Sequence, residues 1–391
     1  MAATPGYRAD AATSTKHVGD GHHGTDTLPA ALGKYANSVS TAGQSAAQKH
    51  EAKRLRYALR SDLWDLSTIE RCRKCGKTPV GEQGTVGLRV TADSGSGFSG
   101  LASCGSVWVC PVCAAKVSRR RADEVAQAVQ AAADRGYSAS LLTLTARHHR
   151  GQRLKWVWNA VLKAWRSMLG GRFAQTFREV LGVKHWVRVV EVTHGDNGWH
   201  PHLHVILIHD GRQTAEQLES ALWPRWFRAL ERQGMTAVQG AGLDVRSSSD
   251  AVGEYLVKSL AAEVTAGHAK QGRAGGRTPF QILRSVTETG DADDLALWHE
   301  WEAASRGRRQ IGWSKGFRDW ARLAPEQSDE QIAEEEPGGD DVLVLDAVAW
   351  RQVRREQGAL LVEADKFGVP GARAWLRRAG VHWREVKVVR Q

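Results

Sequence analysis

The chain has 391 residues, with 54 Lys and Arg against 43 Asp and Glu, a formal charge of +11. Its 42% hydrophobic and 25% charged content is ordinary for a globular protein, and this length predicts two or three folding units. The sequence has no uncharged apolar run long enough for a bilayer, no secretory signal pattern in its first residues, and cysteines only between Cys72 and Cys113. A membrane span and a disulfide framework are thereby excluded, and the expected compartment is the cytoplasm.

Charge is unevenly spread. Residues 325–341 hold eight acids and no Lys or Arg, which leaves the rest of the chain more basic still. A basic body with an acidic interruption points to a polyanion partner. Charge alone also fits a protein with a basic surface and no nucleic acid.

Residues 1–52 are rich in small and polar residues and are expected to be disordered. Residues 53–116 contain the cysteines and form a candidate zinc-binding module. A helix is predicted over 117–135, with Val125, Val129 and Ala132 on one face and Gly136 beyond its end. Ser140–Thr145 reads as a strand and Leu154–Leu169 as a helix. Lys184–Thr193 and His202–Ile208 read as strands around the turn cluster Gly195-Asp196-Asn197-Gly198, a hairpin signal. A helix over 214–233, a short strand over 243–246, and a helix capped by Ser248, Ser249 or Asp250 and running through Lys258 complete the order. This order predicts an α+β domain over 117–324: an open antiparallel sheet with helices on one face. The Gly- and Arg-rich stretch 265–277 reads as a basic loop, 293–305 as a helix, and GRRQIGWSKGFRDW (307–320) as a basic and aromatic extension. Residues 325–341 read as an acidic linker. Residues 342–391 form a small helical region with ten Lys and Arg against five acids. Within it, two helical stretches around Gly368-Val369-Pro370-Gly371 fit either a helix-turn-helix or two simply packed helices.

Three groups can carry chemistry. Cys72-x2-Cys75 and Cys110-x2-Cys113 are knuckles separated by 34 residues, a spacing that suits one tetrahedral Zn²⁺. Four thiolates leave no open position, so such a site is structural. Cys104 remains as an alternative ligand or a buried thiol. In a strand, His202 and His204 point to one face and offer two imidazoles to a divalent metal. The hairpin would bring Glu191 opposite or diagonal to His204 on that face. Two His and one carboxylate leave open positions, as a catalytic metal requires; the plainer reading is a His-rich polar strand. Tyr255, with Lys258 one turn on, offers a phenolic nucleophile. Alone it would read as an ordinary core or surface residue, and Glu254 with Lys258 as a helix-surface ion pair. Trp199 fits either a base-stacking platform or a cover for the hairpin.

The ordered set SLLTLT (140–145), HPHLHVIL (200–207) and GEYLVKSL (253–260) resembles the rolling-circle replication initiators (Rep proteins) of small Gram-positive plasmids, in the HUH endonuclease superfamily. CGSVWVCPVCAAK (104–116) and GRRQIGWSKGFR (307–318) look like the actinobacterial branch, and the resemblance spans about 72–320. It implies an antiparallel HUH endonuclease fold and a nickase acting on a plasmid origin. His202 and His204 would hold Mg²⁺ or Mn²⁺, with Glu191 on the strand from which relatives draw a third ligand. Tyr255 would be the nucleophile and Lys258 its catalytic partner. Some relatives carry a Glu four residues before the Tyr to activate water; Ala251 stands there, leaving Asp250 and Glu254 as candidate bases. The implied partners are single-stranded origin DNA and a host helicase and polymerase. Two other classes fit parts of the pattern: a histidine-triad nucleotide hydrolase using His200, His202 and His204, and a non-catalytic zinc-containing DNA-binding regulator.

Overall fold

The computed structural model describes residues 45–81, 84–91, 95–170, 173–247, 276–336 and 338–386. The N-terminal half contains helices α1 (Ala46–Leu66) and α2 (Glu70–Lys74), strands β1 (Val86–Thr91) and β2 (Gly95–Ser99), helix α3 (Pro111–Ala133), strand β3 (Ser138–Leu144), helices α4 (Leu154–Met168) and α5 (Phe173–Glu179), and strand β4 (Val183–Gly195). Strand β5 (Gly198–His209), helix α6 (Ala215–Glu231), strand β6 (Leu243–Ser247), helices α7 (Pro279–Thr289) and α8 (Ala292–Ser305) and strand β7 (Ile311–Trp313) follow. Helices α9 (Phe317–Trp320) and α10 (Asp329–Glu334), strand β8 (Asp341–Leu345), helices α11 (Ala347–Val353) and α12 (Gln357–Arg378) and strand β9 (Arg384–Glu385) close the chain.

Two antiparallel sheets organise these elements. The larger has the order β6-β3-β5-β4-β7. Strand alternation divides its side chains between two faces. Leu142, Leu144, Val190, Val192, Leu203, Val205 and Leu207 belong to one core with Trp158 and Trp165 of α4, Trp226 of α6, and Trp298 and Trp301 of α8. Leu141, Val187, Val189, Ile206 and Ile208 belong to another with Ala122, Val125 and Ala128 of α3, and with Ile311 and Phe317. The sheet is therefore covered on both sides, not on one as expected. The small residues of α3 let it lie close against the second face.

The smaller sheet has the order β2-β1-β8-β9. It joins the two ends of the described chain: Val86 pairs with Leu345 and Leu88 with Leu343. Behind it, Trp350, Leu360, Leu361, Ala372 and Leu376 close a separate core. Residues 342–391, expected as a helical region, thus contribute strands to a sheet that begins near residue 86.

Two expectations about unstructured segments are corrected. Residues 46–52, placed in the disordered segment, are helical: Ser45 and Gln48 close a capping box, and Ala52 is buried. The acidic stretch is no free linker. Its helix α10 buries Ile332. Asp329 pairs with Arg121, Glu330 with Arg71, Glu335 with Arg120, and Glu336 and Asp341 with Arg89. Opposite charge and one apolar anchor dock it. Among the described residues, no helix is long and apolar enough to cross a membrane.

Candidate metal centres

The alternating pattern that builds the second sheet face also ends it. On β5 the residues change from Ile208 and Ile206 to His204, His202 and His200. On β4 they change from Val187 and Val189 to Glu191, and on β3 from Leu141 to Thr143. Apolar cover therefore gives way to polar side chains along the same three adjacent strands. The register sets Glu191 directly opposite His202, Val189 opposite His204, and Thr143 opposite His204 from the other side.

Glu191 Oε2 lies 3.1 Å from His202 Nε2 and 2.9 Å from His204 Nε2. The three side chains are 10–15% exposed, enough for a ligand to reach them from one side. Their other ring nitrogens are engaged behind them. His202 Nδ1 is 3.3 Å from the His200 carbonyl, and His204 Nδ1 is 3.3 Å from Thr143 Oγ1. A carbonyl can only accept, so His202 Nδ1 carries the proton. Thr143 can accept from His204 in the same way. Each Nε2 donates to the Glu191 carboxylate, and giving up those protons would leave two lone pairs and a carboxylate oxygen to hold a cation. Burial alone would raise the Glu191 carboxyl, but the charge of His202 and the hydrogen bonds of His202 and His204 outweigh it and hold it well below the usual carboxylate range.

A further histidine pair flanks this face. His148 Nδ1 donates to the Asn197 carbonyl at 2.9 Å, so its Nε2 accepts from His200 Nδ1 at 2.7 Å. Burial, followed by the charges of His202 and His148, lowers the His200 pKa to about 3. Sequence reasoning missed Thr143 and His148. Thr143 had a signal, being the polar break within SLLTLT; His148 comes from a loop and had none.

Of the two readings of Trp199, the structure takes the apolar cover and not the stacking platform. Trp199 is 2% exposed. Its ring stacks on Trp301 at 5.9 Å, and its Nε1 donates to Glu300. Alternation sends it to the face opposite His200. Asp250, Glu254, Tyr255 and Lys258 lie outside the described residues.

The second cluster is built from sulfur. The Sγ atoms of Cys75, Cys104, Cys110 and Cys113 all lie within 4.8 Å of one another. Cys75 is 3.7 Å from Cys110 and 3.6 Å from Cys113, and Cys104 is 3.7 Å from Cys113. A tetrahedron with Zn–S bonds of about 2.3 Å has S–S edges of about 3.8 Å, so the four sulfurs fit Zn²⁺. Cys104 stands in the place expected for Cys72. Cys72, buried on α2, reaches Cys104 alone of the four, while Cys75 at the end of that helix joins the mutual cluster. Gly76 and Gly105 take left-handed φ values of 62° and 61° next to two of the ligands, making the tight turns that aim them. The Arg60 guanidinium lies against Gly76. Burial would lower its pKa, but the charges of Cys75, Tyr57, Cys110 and Cys113 raise it.

The class that this architecture defines is an α+β protein with a two-His, one-carboxylate face on an antiparallel sheet and a buried four-cysteine cluster. The model of the replication protein family Rep_1 matches residues 102–357, more than half of the chain. The chain belongs to that family. It is 29% identical over 307 residues to "Protein rep" of Streptomyces lividans, covering 60% of this chain and 67% of that protein. It is 30% identical over 143 residues to a "Neomycin resistance protein" of Streptomyces cyanogenus, covering 30% of this chain and 33% of that protein. No solved structure matches.

Proposed function

We propose that this replication protein is the nickase that starts rolling-circle replication of a plasmid. The observation that carries the reading is the convergence of Glu191, His202 and His204 on one sheet face, in a chain of the replication protein family. These three residues would hold Mg²⁺ or Mn²⁺. Bound there, the cation neutralises charge on the oxygens of the scissile phosphate. Thr143 and the His200 carbonyl orient the two imidazoles. Tyr255 is the nucleophile: its Oη bonds to phosphorus, the bond from phosphorus to the 3′ oxygen breaks, and the tyrosine proton ends on that oxygen. Lys258 supplies positive charge to the developing phenolate. The strand then carries a 5′-phosphotyrosyl link and a free 3′-OH, which primes a host polymerase behind a host helicase. Attack by a later 3′-OH rejoins the strand without ATP, and Asp250 or Glu254 serves as base where water closes the cycle. Zn²⁺ on the four cysteines has a structural role.

The test is a labelled single-stranded origin oligonucleotide in Mn²⁺, run on a denaturing gel. Wild type gives a cut strand and a slower protein-linked band. Tyr255→Phe keeps the ring and loses both products together. A protein-linked band formed by Tyr255→Phe at the wild-type rate would overturn the assignment.

A further inference from the structure

Helix α12 is not one helix. At Gly368 the backbone leaves the helical region, at φ 64° and ψ −154°, a conformation that glycine alone takes without strain. In a straight helix residues 363 and 371 stand about 12 Å apart along the axis. Here a methyl group on Gly371 would collide with the Glu363 carbonyl oxygen and lie 2.7 Å from Phe367 Cβ. The chain has doubled back, and residues 357–367 and 369–378 are two helices in contact at Gly371. Strand β9 then returns beside β8, the strand that leads into the helices, with Leu343 opposite Glu385 and Val344 opposite Arg384.

The second helix buries Gly371, Ala372 and Leu376. Pro370, Arg373, Ala374 and Arg377, at i, i+3, i+4 and i+7, occupy the opposite side. Arg373 pairs with Glu385 of β9 at 3.1 Å, which ties this helix to the strand. Lys366, Arg377, Arg378 and Arg384 are exposed around it, with Arg378 paired to Glu363 at 3.4 Å and Arg377 over the Trp383 ring. Over the described residues 357–386, Glu385 is the one acid in the exposed class, and Arg373 already holds it.

We propose that this helix pair with its flanking strand is a second DNA site, and that helix 369–378 reads the major groove of duplex DNA. A helix about 10–12 Å across fits a groove about 12 Å wide. The surrounding cations suit the phosphates on either side. Arg377 faces outward with the reach to contact a base edge, and Lys366 meets the backbone. The inference goes beyond strand cleavage, since this site binds DNA and does not cut it.

The experiment uses the full-length chain and a pool of duplex DNAs with randomised centres, sequenced after capture. Wild type enriches a consensus. Arg377→Ala lowers affinity for the selected duplex about tenfold and relaxes the consensus locally, whereas Lys366→Ala weakens all duplexes alike and flattens the salt dependence. Both side chains are exposed, so melting temperature stays unchanged, and cleavage of the single-stranded oligonucleotide is the same as in wild type. Failure of the nickase reading would show as no cleavage by wild type, a separate readout. The proposal falls if wild type enriches no duplex consensus, if both folded variants keep wild-type affinity, or if a parallel duplex RNA pool is captured in preference.

Discussion

The cysteine quartet and the Glu191–His202–His204 face gather metal-binding donors in opposite ways. The four cysteines are 0–5% exposed, within the large core. They come from the end of α2, the loop before α3 and the start of α3, and their sulfurs complete a tetrahedron. The Glu and His donors stand on two adjacent strands, are 10–15% exposed, and number three. A closed tetrahedron can hold parts of a chain together but offers nothing to a substrate. On the proposed reading, three donors open on one side would leave positions for phosphate oxygens. Donor number and access, more than residue type, separate the closed cluster from the open one.

The comparison breaks most visibly if the quartet is disturbed. Cys104→Ser and Cys110→Ser should each abolish tight zinc binding and the cooperative unfolding of the surrounding module, because structural zinc supplies folding free energy of about 10 kcal/mol or more. Cys72→Ser should keep about one Zn²⁺ per chain, as the four-ligand rule requires. Elemental analysis with thermal denaturation decides. Zinc kept by Cys104→Ser and lost by Cys72→Ser would exchange the roles of these two cysteines.

The open face should respond in activity more than in stability. His204→Ala or Glu191→Gln should slow cleavage roughly 10²–10³-fold, the equivalent of several kcal/mol of charge stabilisation at the phosphate. Zinc content should stay unchanged. Single-turnover cleavage across a Mn²⁺ titration measures this, and wild-type rates in either variant would remove these residues from the reaction. The smallest effect is expected behind the face. Thr143→Val removes the acceptor at His204 Nδ1 and should weaken Mn²⁺ binding by about tenfold, with the maximal rate approached again at high Mn²⁺. Unchanged Mn²⁺ affinity would show that the threonine does not orient the imidazole.

The two centres were unequally legible in the sequence. Glu191, His202 and His204 lie on one hairpin, where a two-residue turn fixes the register and period two fixes the face. The spacing of these residues therefore carried most of the geometry. For Trp199 the same period gives the opposite face from His200, but only the packed Trp301 shows that this face is core. The cysteine spacing indicated a metal cluster but not its membership. Cys72 and Cys104 are equally plausible as letters; the short helix α2 and the turn at Gly105 select between them. His148 reaches His200 from a loop, a contact with no periodic signature.

The sequence by itself determined the local features: the strands around the 195–198 turn, the capped and amphipathic helices, the cysteine-rich module and the residues that share the histidine face. These follow from alternation, helical period and turn chemistry, which act over a few residues. Tertiary structure decided the second cover on the large sheet, the pairing of β1 with β8, the docking of the acidic stretch on Arg71, Arg89, Arg120 and Arg121, and the fourth sulfur of the quartet. Each depends on contacts between segments far apart in the chain, where burial and charge pairing choose among many compatible partners and local pattern has no means to choose.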